Sequence, residues 1–448
     1  MNAPPLAAGE QVTLLLESLA AGGEMVAHRD GLTVFVTGGA PGDLAEVEIT
    51  AVHPRYAKGR LVRVVKPSPD RIPPRCSHFG ECGGCELQHL YYPAQLGHKR
   101  RLVEDALAHI GRLSEVPVED TVPAAQPWGY RAKVEYAATL TEAGLAFGFL
   151  RQGTHEVVPI TGCAVAHPLN ERIRQKAAET LQAVAQGHEE KTSVYKLICR
   201  TSVSRNEALV TLVVGHAHPF LSAFASQLME AVPEVVGVAV ARARGPHAPR
   251  HSPAAVIAGR KHLVERVGEF DYRVSADAFF QVNPASAGVL VDTALEFAQV
   301  TAEDRIVDGY CGVGLFLLPL AARARRGWGL EEDEAALVDA RANLRAAHLG
   351  NCMLYRGPVE RTLPKLSARR RAEVICLGPP RRGCSRAALV GAVAMRPRAI
   401  IVVSCEPATL ARDLAVLQSL GFRTSRVRPV DLFPHTWHVE AVALCVPG

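Results

Sequence analysis

The sequence contains little that would place the protein in a membrane or outside the cell. Its first residues, MNAPPLAAGE, have neither the basic start nor the apolar stretch of a secretory signal. Apolar runs such as 399–403 are far too short to span a bilayer. We therefore expect a cytoplasmic protein with no membrane partner.

The chain also lacks internal repeats and low-complexity segments. Hydrophobic residues make up 48% and charged residues 21% of the sequence, which is typical of a soluble globular protein with sizeable cores. At 448 residues the chain is too long for one ordinary domain, so we expect two or three domains.

A strong excess of one charge is likewise missing, since the net charge is only +5. The basic residues are nevertheless unevenly distributed. Two clusters stand out, the first with Arg55, Lys58, Arg60, Arg63, Lys66, Arg71 and Arg75 and the second with Lys99, Arg100 and Arg101. Such clusters suit a polyanionic partner, although a solvated surface explains them equally well.

The N-terminal region reads as closely spaced short strands. The segments QVTLLLESL, LTVFVTG, LAEVEITAVH and GRLVRVVK are separated by glycine and proline. This pattern predicts a small β-barrel over residues 9–67, a fold that often binds nucleic acid. The proline-rich stretch from Pro67 to Pro74 is predicted to be a linker.

The remaining chain divides into a mixed region and a strand–helix alternation. Residues 68–270 predict a central α+β domain, with a helix at Asn170–Gln186 and strands at Ala208–Val214 and Val235–Val240. From 271 to 448, strand candidates alternate with helices, which predicts an α/β domain with a doubly wound, largely parallel sheet. The candidates are DRIVDGY, GWGLEE, AEVICLG, AIIVVSC and VEAVALCV. Ligands of such sheets bind beyond the carboxyl ends of the strands.

Eleven cysteines without a secretion signal favour metal binding or catalysis over disulfides. Cys76, Cys82 and Cys85 form a C-x5-C-x2-C pattern, and Cys163 is the best candidate for a fourth ligand. Cys199 is a weaker candidate because it ends an apolar, strand-like run. The single C-x2-C pair favours an iron–sulfur cluster, with zinc as the alternative and coincidence as the remaining possibility.

A glycine-rich turn follows the first strand of the alternating region. In IVDGYCGVGLF, the strand leads through Asp308 to Gly312 and Gly314, where backbone can approach a ligand. Glu331 ends the next strand, where a carboxylate can accept both ribose hydroxyls. The turn departs from the G-x-G-x-x-G pattern of dinucleotide enzymes, so S-adenosylmethionine is preferred over a nicotinamide cofactor. An ordinary glycine turn is the simpler alternative.

Two further residues suggest covalent catalysis. Cys405 ends the strand AIIVVSC, where a parallel sheet exposes its reactive groups, although a free cysteine is equally often a small buried hydrophobe. Glu440 enters a buried strand, a costly position for an unused carboxylate. Addition of a thiolate to uracil C6 would activate C5 toward a methyl donor. Glu440 would then remove the C5 proton.

These segments, in this order, resemble the uridine-5 methyltransferases that act on transfer and ribosomal RNA. GDLAEVEI resembles the TRAM barrel of that family, which binds RNA, and the C-terminal domain resembles its Rossmann-like class I methyltransferase fold. The resemblance implies that Cys76, Cys82, Cys85 and Cys163 bind a [4Fe-4S] cluster. It implies cofactor contacts for Gln281 in SADAFFQVN, Tyr310 and Glu331, with Cys405 in SCEP as nucleophile and Glu440 in HTWHVE as base.

The sequence departs from the family pattern at two positions near the expected site. Gly378 stands before the paired prolines of GPPRRG, where the family has an aspartate that helps hold uracil and cofactor. Loss of that charged hydrogen bond would cost about 1.5–3 kcal/mol of binding or transition-state stabilisation. Glu406 replaces the usual asparagine of SCEP, and its charge is expected to raise the pKa of Cys405.

We therefore expect an RNA uridine-5 methyltransferase that acts on 23S ribosomal RNA, with transfer RNA as the alternative substrate. The four cluster cysteines are the reason for preferring ribosomal RNA, and this preference comes from the resemblance alone. Gly378 and Glu406 support a rival hypothesis, a catalytically weak RNA-binding paralogue. A monomer is favoured, although the sequence does not determine the oligomeric state.

Overall fold

The computed structural model describes residues 6–185, 193–248 and 251–448, and its N-terminal part is a six-stranded sheet. Strands β1 to β6 are Gln11–Leu15, Ser18–Leu19, Met25–Arg29, Leu32–Thr37, Leu44–Val52 and Tyr56–Lys66. Their order is β1-β5-β6-β4-β3-β2. Buried residues alternate with exposed ones along β1, as expected for a strand with one face on a core. All four predicted segments contain strands, but QVTLLLESL is divided between β1 and β2, and β3 was not predicted. Closure into a barrel stays a prediction.

The proline-rich segment after β6 is tied to this sheet by a buried carboxylate. Asp43 is fully buried and accepts a 2.7 Å ion-pair contact from Arg71 and a 2.9 Å hydrogen bond from the backbone N–H of Ser68. The segment has no regular secondary structure between these contacts, as predicted for 67–74. It leads through the cysteine region into helix α1, Tyr92–Ala106, which continues as a π-helical turn, Leu107–Gly111.

The central part is a seven-stranded mixed sheet with two helices on one face. Its elements are β7 Lys133–Thr141, β8 Gly144–Leu150, β9 Val157–Pro159, α2 Pro168–Val184, β10 Val194–Ser202, β11 Glu207–Val214, α3 Leu221–Ala231, β12 Val235–Arg242 and β13 Ala255–Gly259. The strand order is β13-β12-β11-β10-β7-β8-β9, and only the β11–β12 pair among these is parallel. The predicted helix and both predicted strands are confirmed, except that Gln186 lies outside the described residues. Cys199 is buried in the core between sheet and helices.

The C-terminal part begins with a hairpin and continues as the expected α/β sheet. Its elements are β14 His262–Val267, β15 Phe270–Ser275, α4 Pro284–Ala298, β16 Arg305–Gly309, α5 Leu317–Ala321, β17 Arg326–Glu331, α6 Glu334–Ala346, β18 Cys352–Arg356, α7 Val359–Ser367, β19 Val374–Leu377, α8 Arg386–Ala394, β20 Ala399–Ser404, α9 Pro407–Ser419, β21 Phe422–Val430 and β22 Glu440–Pro447. The order is β18-β17-β16-β19-β20-β22-β21. The first five strands are parallel, and β22 runs antiparallel to β20 and β21. This agrees with the predicted largely parallel sheet.

Two strands of this sheet were absent from the prediction. β18 is a short edge strand with no fully buried residue, so its sequence CMLYR carries little apolar signal. β21, FRTSRVRPV, has polar residues at most of its positions, and between its buried first residue and Val427 no side chain is fully buried. Both gain their strand identity from pairing with a neighbour, which local sequence does not show.

Helix α1 packs on the C-terminal core although it precedes the central sheet in sequence. Val103 and Leu107 share one buried cluster with Trp328, Leu377 and Leu410. The domain boundaries at 67/68 and 270/271 stay a prediction. The packing shows that α1, although it lies within 68–270, belongs to the core of the C-terminal sheet. Within the described ranges, every helix is too short or too polar to cross a bilayer.

Candidate functional site

The strand ends of the C-terminal sheet bring Cys405 and Glu440 side by side. β20 ends at Ser404, and β22 begins at Glu440. The last pair of this antiparallel ladder is Ser404 opposite Ala441, so Cys405 and Glu440 are the next residues on the two chain segments. They lie close enough for the charge of Glu440 to act on the Cys405 thiol. The sequence had placed these two side chains at strand ends, and the register makes them neighbours.

Burial and nearby charges set the protonation of this pair. Cys405 is half-buried and Glu440 is buried. Burial raises the pKa of the Cys405 thiol to about 11; the carboxylate of Glu440 adds to the rise, and the Arg381 guanidinium opposes it. Burial also raises the pKa of Glu440 to about 7, again opposed by Arg381. Near neutral pH, Glu440 therefore exists in both protonation states, which suits a general base.

Arg381 is the cation of this site, and it lies just beyond the end of β19. Its Nη2 atom is 3.5 Å from Nε2 of His438, and its backbone carbonyl accepts a 3.1 Å hydrogen bond from the Thr409 hydroxyl. Burial lowers the pKa of His438 to about 4, and the charge of Arg381 adds to the effect. His438 is therefore a neutral imidazole beside the Arg381 guanidinium. The same guanidinium lowers the pKa values of Cys405 and Glu440.

Glu406 adds a second negative charge beside the thiol, and its removal should alter the pH dependence of the site. Its charge contributes to the raised pKa of Cys405, although less than burial and Glu440 do. In Glu406→Gln, the lower pKa of Cys405 should give about threefold to tenfold more thiolate at neutral pH. The rate of covalent adduct formation with RNA, measured from pH 6 to 10, should exceed that of the unmodified protein by this factor, because most of the range lies well below the pKa of about 11.

The exposed Glu332 offers a matched control for this charge change, because it follows β17 rather than β20. Glu332→Gln should leave the pH profile of adduct formation where the unmodified protein has it. An unchanged profile in Glu406→Gln would show that this carboxylate does not act on the thiol.

The loop that carries Glu440 is fixed by a buried ion pair. Nζ of Lys99 on α1 lies 2.6 Å from a carboxylate oxygen of Asp431, and both side chains are fully buried. The same ammonium donates to the backbone carbonyl of Phe433 at 2.9 Å, while the Tyr92 hydroxyl donates to Asp431 at 2.9 Å. Loss of one partner of a buried pair typically costs about 3–5 kcal/mol, so this contact holds the start of the loop firmly.

The middle of the same loop is held by the segment that follows the cysteines. The backbone carbonyl of His435 accepts hydrogen bonds from the N–H groups of Glu86 and Leu87, at 3.0 and 2.9 Å. The N–H of His435 donates to Gln95 at 3.0 Å, and its ring stacks on Trp128 with centroids 3.6 Å apart. The loop of Glu440 and the cysteine segment are therefore in direct backbone contact.

The glycine turn after β16 has the conformation expected of a ligand-binding loop. Tyr310, Gly312 and Gly314 have φ values of 67°, 54° and 99°, in the left-handed region. A Cβ at Gly314 would lie 2.6 Å from Cδ1 of Leu318, so this position needs glycine. At Gly312 a Cβ would meet nothing within 4 Å, so the backbone there borders open space.

Glu331 holds this turn through its carboxylate. Its oxygens accept hydrogen bonds from the backbone N–H of Gly312 at 2.9 Å and from those of Glu332 and Asp333 at 2.8 Å. A carboxylate has about four acceptor sites, so capacity remains for a hydroxyl ligand. The predicted ribose acid and the predicted glycine turn are thus brought together.

Asp308 lies beneath the turn as a buried carboxylate. Among the described residues, neither of its oxygens has a well-formed hydrogen bond. Burial raises the pKa of Asp308 far above its usual range, and the charge of Glu331 adds to the rise. A buried polar group without partners is costly, so it indicates that a polar ligand completes this site.

The other two predicted cofactor residues lie in different surroundings. Gly378 follows β19, and its N–H donates a 3.1 Å hydrogen bond to the carbonyl of Gly309. A Cβ at Gly378 would meet nothing within 4 Å, so this position borders open space. Gln281 lies between β15 and α4 and lines a small cavity with Arg200 and Glu265, toward the central sheet. The contact of Gln281 with the cofactor stays a prediction.

The four predicted metal ligands line one small cavity. Cys76, Cys82, Cys85 and Cys163 are all half-buried, and no disulfide joins them. Gly83 permits this approach, because a Cβ there would lie 2.9 Å from the carbonyl oxygen of Leu150. Cys163, distant in the chain, therefore lines the same cavity as the other three cysteines, and the role of all four as metal ligands stays a prediction.

A buried arginine completes the lining of this cavity. Burial raises the pKa of Cys82 to about 11 and that of Cys85 to about 12. The guanidinium of Arg131 lies close enough for its charge to oppose both rises. Its Nε is buried without a hydrogen-bond partner among the described residues. In those same residues, no three histidine, cysteine, aspartate or glutamate side chains are placed to hold a single metal ion.

Sequence reasoning missed Arg381, His438 and Arg131 as members of these sites. Arg381 and His438 stand within the motifs GPPRRG and HTWHVE, but a motif does not show which cation faces which acid. The prediction that Lys99 belongs to a basic cluster suited to a polyanion is wrong, because Lys99 is fully buried and pairs with Asp431. This pairing could not be predicted because 332 positions separate the two residues.

Two family profiles match the sequence and together cover most of it. Residues 92–446 match the tRNA (uracil-5-)-methyltransferase family. Residues 5–62 match the TRAM domain.

Relatives of full length have similar descriptions. The chain is 33% identical over 447 residues to an uncharacterized RNA methyltransferase of Halalkalibacterium halodurans, covering 98% of each chain. It is 35% identical over 452 residues to one of Thermosynechococcus vestitus, covering 97% of this chain and 98% of the relative. Among solved structures, Pyrococcus abyssi tRNA (uracil-54, C5)-methyltransferase in complex with S-adenosyl-L-homocysteine has a TM-score of 0.73 at 24% identity. That alignment covers 97% of this chain and 100% of the other, and it shows a common fold.

Proposed function

Because the chain belongs to the tRNA (uracil-5-)-methyltransferase family, we propose that it methylates carbon 5 of uridine in ribosomal RNA through a covalent adduct with Cys405. It is an RNA methyltransferase that uses S-adenosylmethionine and carries an N-terminal TRAM domain. The observation that supports the proposal is the end of the β20–β22 ladder at Ser404 and Ala441, because Cys405 and Glu440 are the residues next to that pair.

Uracil C5 is a weak nucleophile, so the protein must first activate the ring. The Cys405 thiolate adds to C6, which makes C5 electron-rich enough to attack an electrophilic methyl group. Arg381 favours the thiolate, because its charge opposes the effect of burial on the pKa of Cys405. Glu440 then accepts the C5 proton, and the C6–sulfur bond breaks to release the methylated base.

S-adenosylmethionine supplies that methyl group, and the residues at the glycine turn fit it. The open space beside Gly312 and the unpartnered buried carboxylate of Asp308 are features that a bound ligand would use. We assign the ribose hydroxyls to Glu331 and further contacts to Tyr310 and the backbone at Gly378. We also assign Gln281, in the segment between β15 and α4, a contact with the cofactor.

Transfer RNA is the second candidate substrate, and the Pyrococcus abyssi enzyme acts on a transfer RNA according to its description. We prefer ribosomal RNA because the four cysteines, which led to that preference, meet at one cavity. The rival hypothesis of a weakly active RNA-binding paralogue rests on Gly378 and Glu406. The monomeric state and the cytoplasmic location stay predictions.

One experiment separates these possibilities. The purified protein would be incubated with S-adenosylmethionine and transcripts of 23S ribosomal RNA or of transfer RNA, and 5-methyluridine would be mapped by mass spectrometry. We expect 5-methyluridine at one or a few positions of the ribosomal transcript. Modification of the transfer RNA alone would identify the second substrate, and binding without methylation of either RNA would support the paralogue.

We also propose that Cys76, Cys82, Cys85 and Cys163 hold a [4Fe-4S] cluster. In such a cluster each thiolate binds a different iron, so the sulfur atoms stand farther apart than around one zinc ion, where Zn–S distances are about 2.3 Å. The four thiols around one cavity provide the four ligands that such a cluster needs. The buried charge of Arg131 would partly balance the thiolates.

Protein purified without oxygen should therefore be brown and contain about four irons and four sulfides per chain. Cys163→Ala should lose most of the visible absorbance, whereas Cys199→Ala, which changes a cysteine in the core of the central sheet, should keep it. Colourless protein with one zinc per chain would establish the alternative metal.

A further inference from the structure

Two clefts lie on opposite faces of the edge strand β18, on the far side of the C-terminal sheet from Cys405. Cys352 and Leu354 line the first cleft, while Met353 lines the second. Because side chains alternate along a strand, these residues point to opposite faces. Gly350 borders both clefts, so they form one continuous surface around the sheet edge.

Arginine dominates this surface, which we call the β18 surface. The first cleft contains Arg341, Arg345 and His348, and the second contains Arg305, Arg325, Arg326 and Arg370 together with Glu303 and Glu373. The six arginines exceed the two glutamates by four charges, whereas the whole chain of 448 residues has a net charge of only +5. The two clefts together are therefore strongly positive.

Few of these guanidinium groups are neutralised within the protein. Arg305 pairs with Glu373 at 2.5 Å, and Arg326 contacts the Met353 sulfur at 3.3 Å and lies 5.9 Å from the ring centre of Trp328. Across the part of the chain that the structure describes, no acidic partner is found for the remaining four, which are Arg325, Arg341, Arg345 and Arg370. Unpaired arginines on concave surfaces are well suited to bind phosphate groups, often through two hydrogen bonds each.

The position of the surface excludes a role in holding the methylated base. Arg305 and Arg326 begin their strands, and ligands of an open parallel sheet bind at the opposite, carboxyl ends. Four strand spacings of about 4.8 Å and a strand length of about 17 Å place the β18 surface roughly 25 Å from Cys405. An RNA that contacts both sites must extend well beyond the target nucleotide.

We propose that the β18 surface binds the phosphodiester backbone of an RNA segment remote from the methylated uridine. The inference rests on the proposed function, because the substrate must be an RNA large enough to reach across the C-terminal domain. Each phosphate held here releases condensed counterions, so the contact strengthens binding without reading the base sequence. The substrate class that this surface selects is a folded RNA rather than a short single strand.

The test compares two triple variants with the same loss of charge. Arg325→Gln, Arg341→Gln and Arg370→Gln together remove three unpaired guanidinium groups from both clefts. Arg112→Gln, Arg396→Gln and Arg423→Gln together remove three exposed arginines that lie outside the clefts. Binding of a 23S ribosomal RNA transcript would be measured by filter retention at several concentrations of KCl, after thermal unfolding has shown that both variants are folded.

We expect the β18 variant to bind the transcript at least about tenfold more weakly at low salt. The slope of log affinity against log salt should become shallower by about 2–3, since each lost phosphate contact contributes about 0.7–0.9. Binding of a short oligonucleotide around the target uridine should not change. Equal affinities and equal slopes for the two triple variants would overturn the proposal, as would an equal loss of binding to the short oligonucleotide.

A separate measurement shows which idea has failed if the results are negative. Adduct formation with saturating 5-fluorouridine RNA depends on Cys405 and not on the β18 surface. If the unmodified protein and the β18 variant both form the adduct, the proposed function stands, and the binding data alone decide the fate of the β18 surface. If the unmodified protein forms no adduct, the proposed chemistry fails, whether or not the two triple variants differ in RNA binding.

Discussion

Replacing Cys405 by alanine should reduce methyl transfer to RNA by at least about 10⁴-fold, since removal of a catalytic nucleophile has effects of this size. The reason is specific to this site. Without the sulfur no bond forms at uracil C6, and C5 stays too weak a nucleophile to react. Transfer of radiolabelled methyl groups to the transcript would measure the loss.

A second readout tests the covalent bond itself. RNA containing 5-fluorouridine should form a stable complex with the unmodified protein, because fluorine at C5 cannot leave as a proton. Cys405→Ala should form none. Cys445→Ala serves as the matched control, because Cys445 lies buried on β22 of the same sheet, away from the end of the strand at which Glu440 lies. Its variant should methylate and trap RNA normally. A trapped complex in Cys405→Ala would show that another group is the nucleophile.

Replacing Glu440 by glutamine should leave the addition of the Cys405 thiolate to uracil intact but block the later release of the methylated base. Loss of a general base lowers turnover by about 10²–10⁴-fold. Addition of the thiol should not slow down, because the charge of Glu440 raises the pKa of Cys405 and its removal lowers that pKa. Ordinary RNA should therefore accumulate as a covalent complex, visible as a slowly migrating band on a denaturing gel.

The pH dependence provides an independent check of the same role. The pKa of Glu440 is raised to about 7 by burial, so its basic form increases between pH 6 and pH 8. Turnover of the unmodified protein should rise across this range, and that rise should be absent in Glu440→Gln. The double variant with Cys405→Ala should show no band. Turnover of Glu440→Gln within about threefold of the unmodified protein would assign proton removal to another group, with His438 the nearest candidate.

The positions of the strand-end residues could be predicted because parallel strands obey a simple geometric rule. Tyr310, Glu331, Gly378 and Cys405 all follow or end parallel strands, and such ends meet at one edge of the sheet. Glu440 does not follow this rule, because it begins an antiparallel strand. Its contact with Cys405 depends on the register of β22, which hydrophobic pattern alone does not determine.

Charges that act across the fold could not be predicted from the sequence. The pKa of Cys405 depends on Arg381, and the thiol cavity contains Arg131, yet neither arginine differs in its local pattern from many solvated ones. The sequence did identify Glu406 as a charge that opposes thiolate formation, because it is adjacent in the chain. Local neighbours are visible in a sequence, whereas neighbours created by folding are not.

The loop that presents Glu440 is anchored by residues that lie more than 300 positions earlier in the chain. Lys99 binds Asp431, 332 residues away, and Gln95 binds His435, 340 residues away. During synthesis on the ribosome, Lys99 of α1 therefore stays solvated until Asp431 has emerged and can pair with it. No nascent chain that ends before 440 can be active, and folding must include a late step that closes a very long loop. Truncation of the last eighteen residues, 431–448, would thus remove the base and also leave Lys99 of α1 without its counterion.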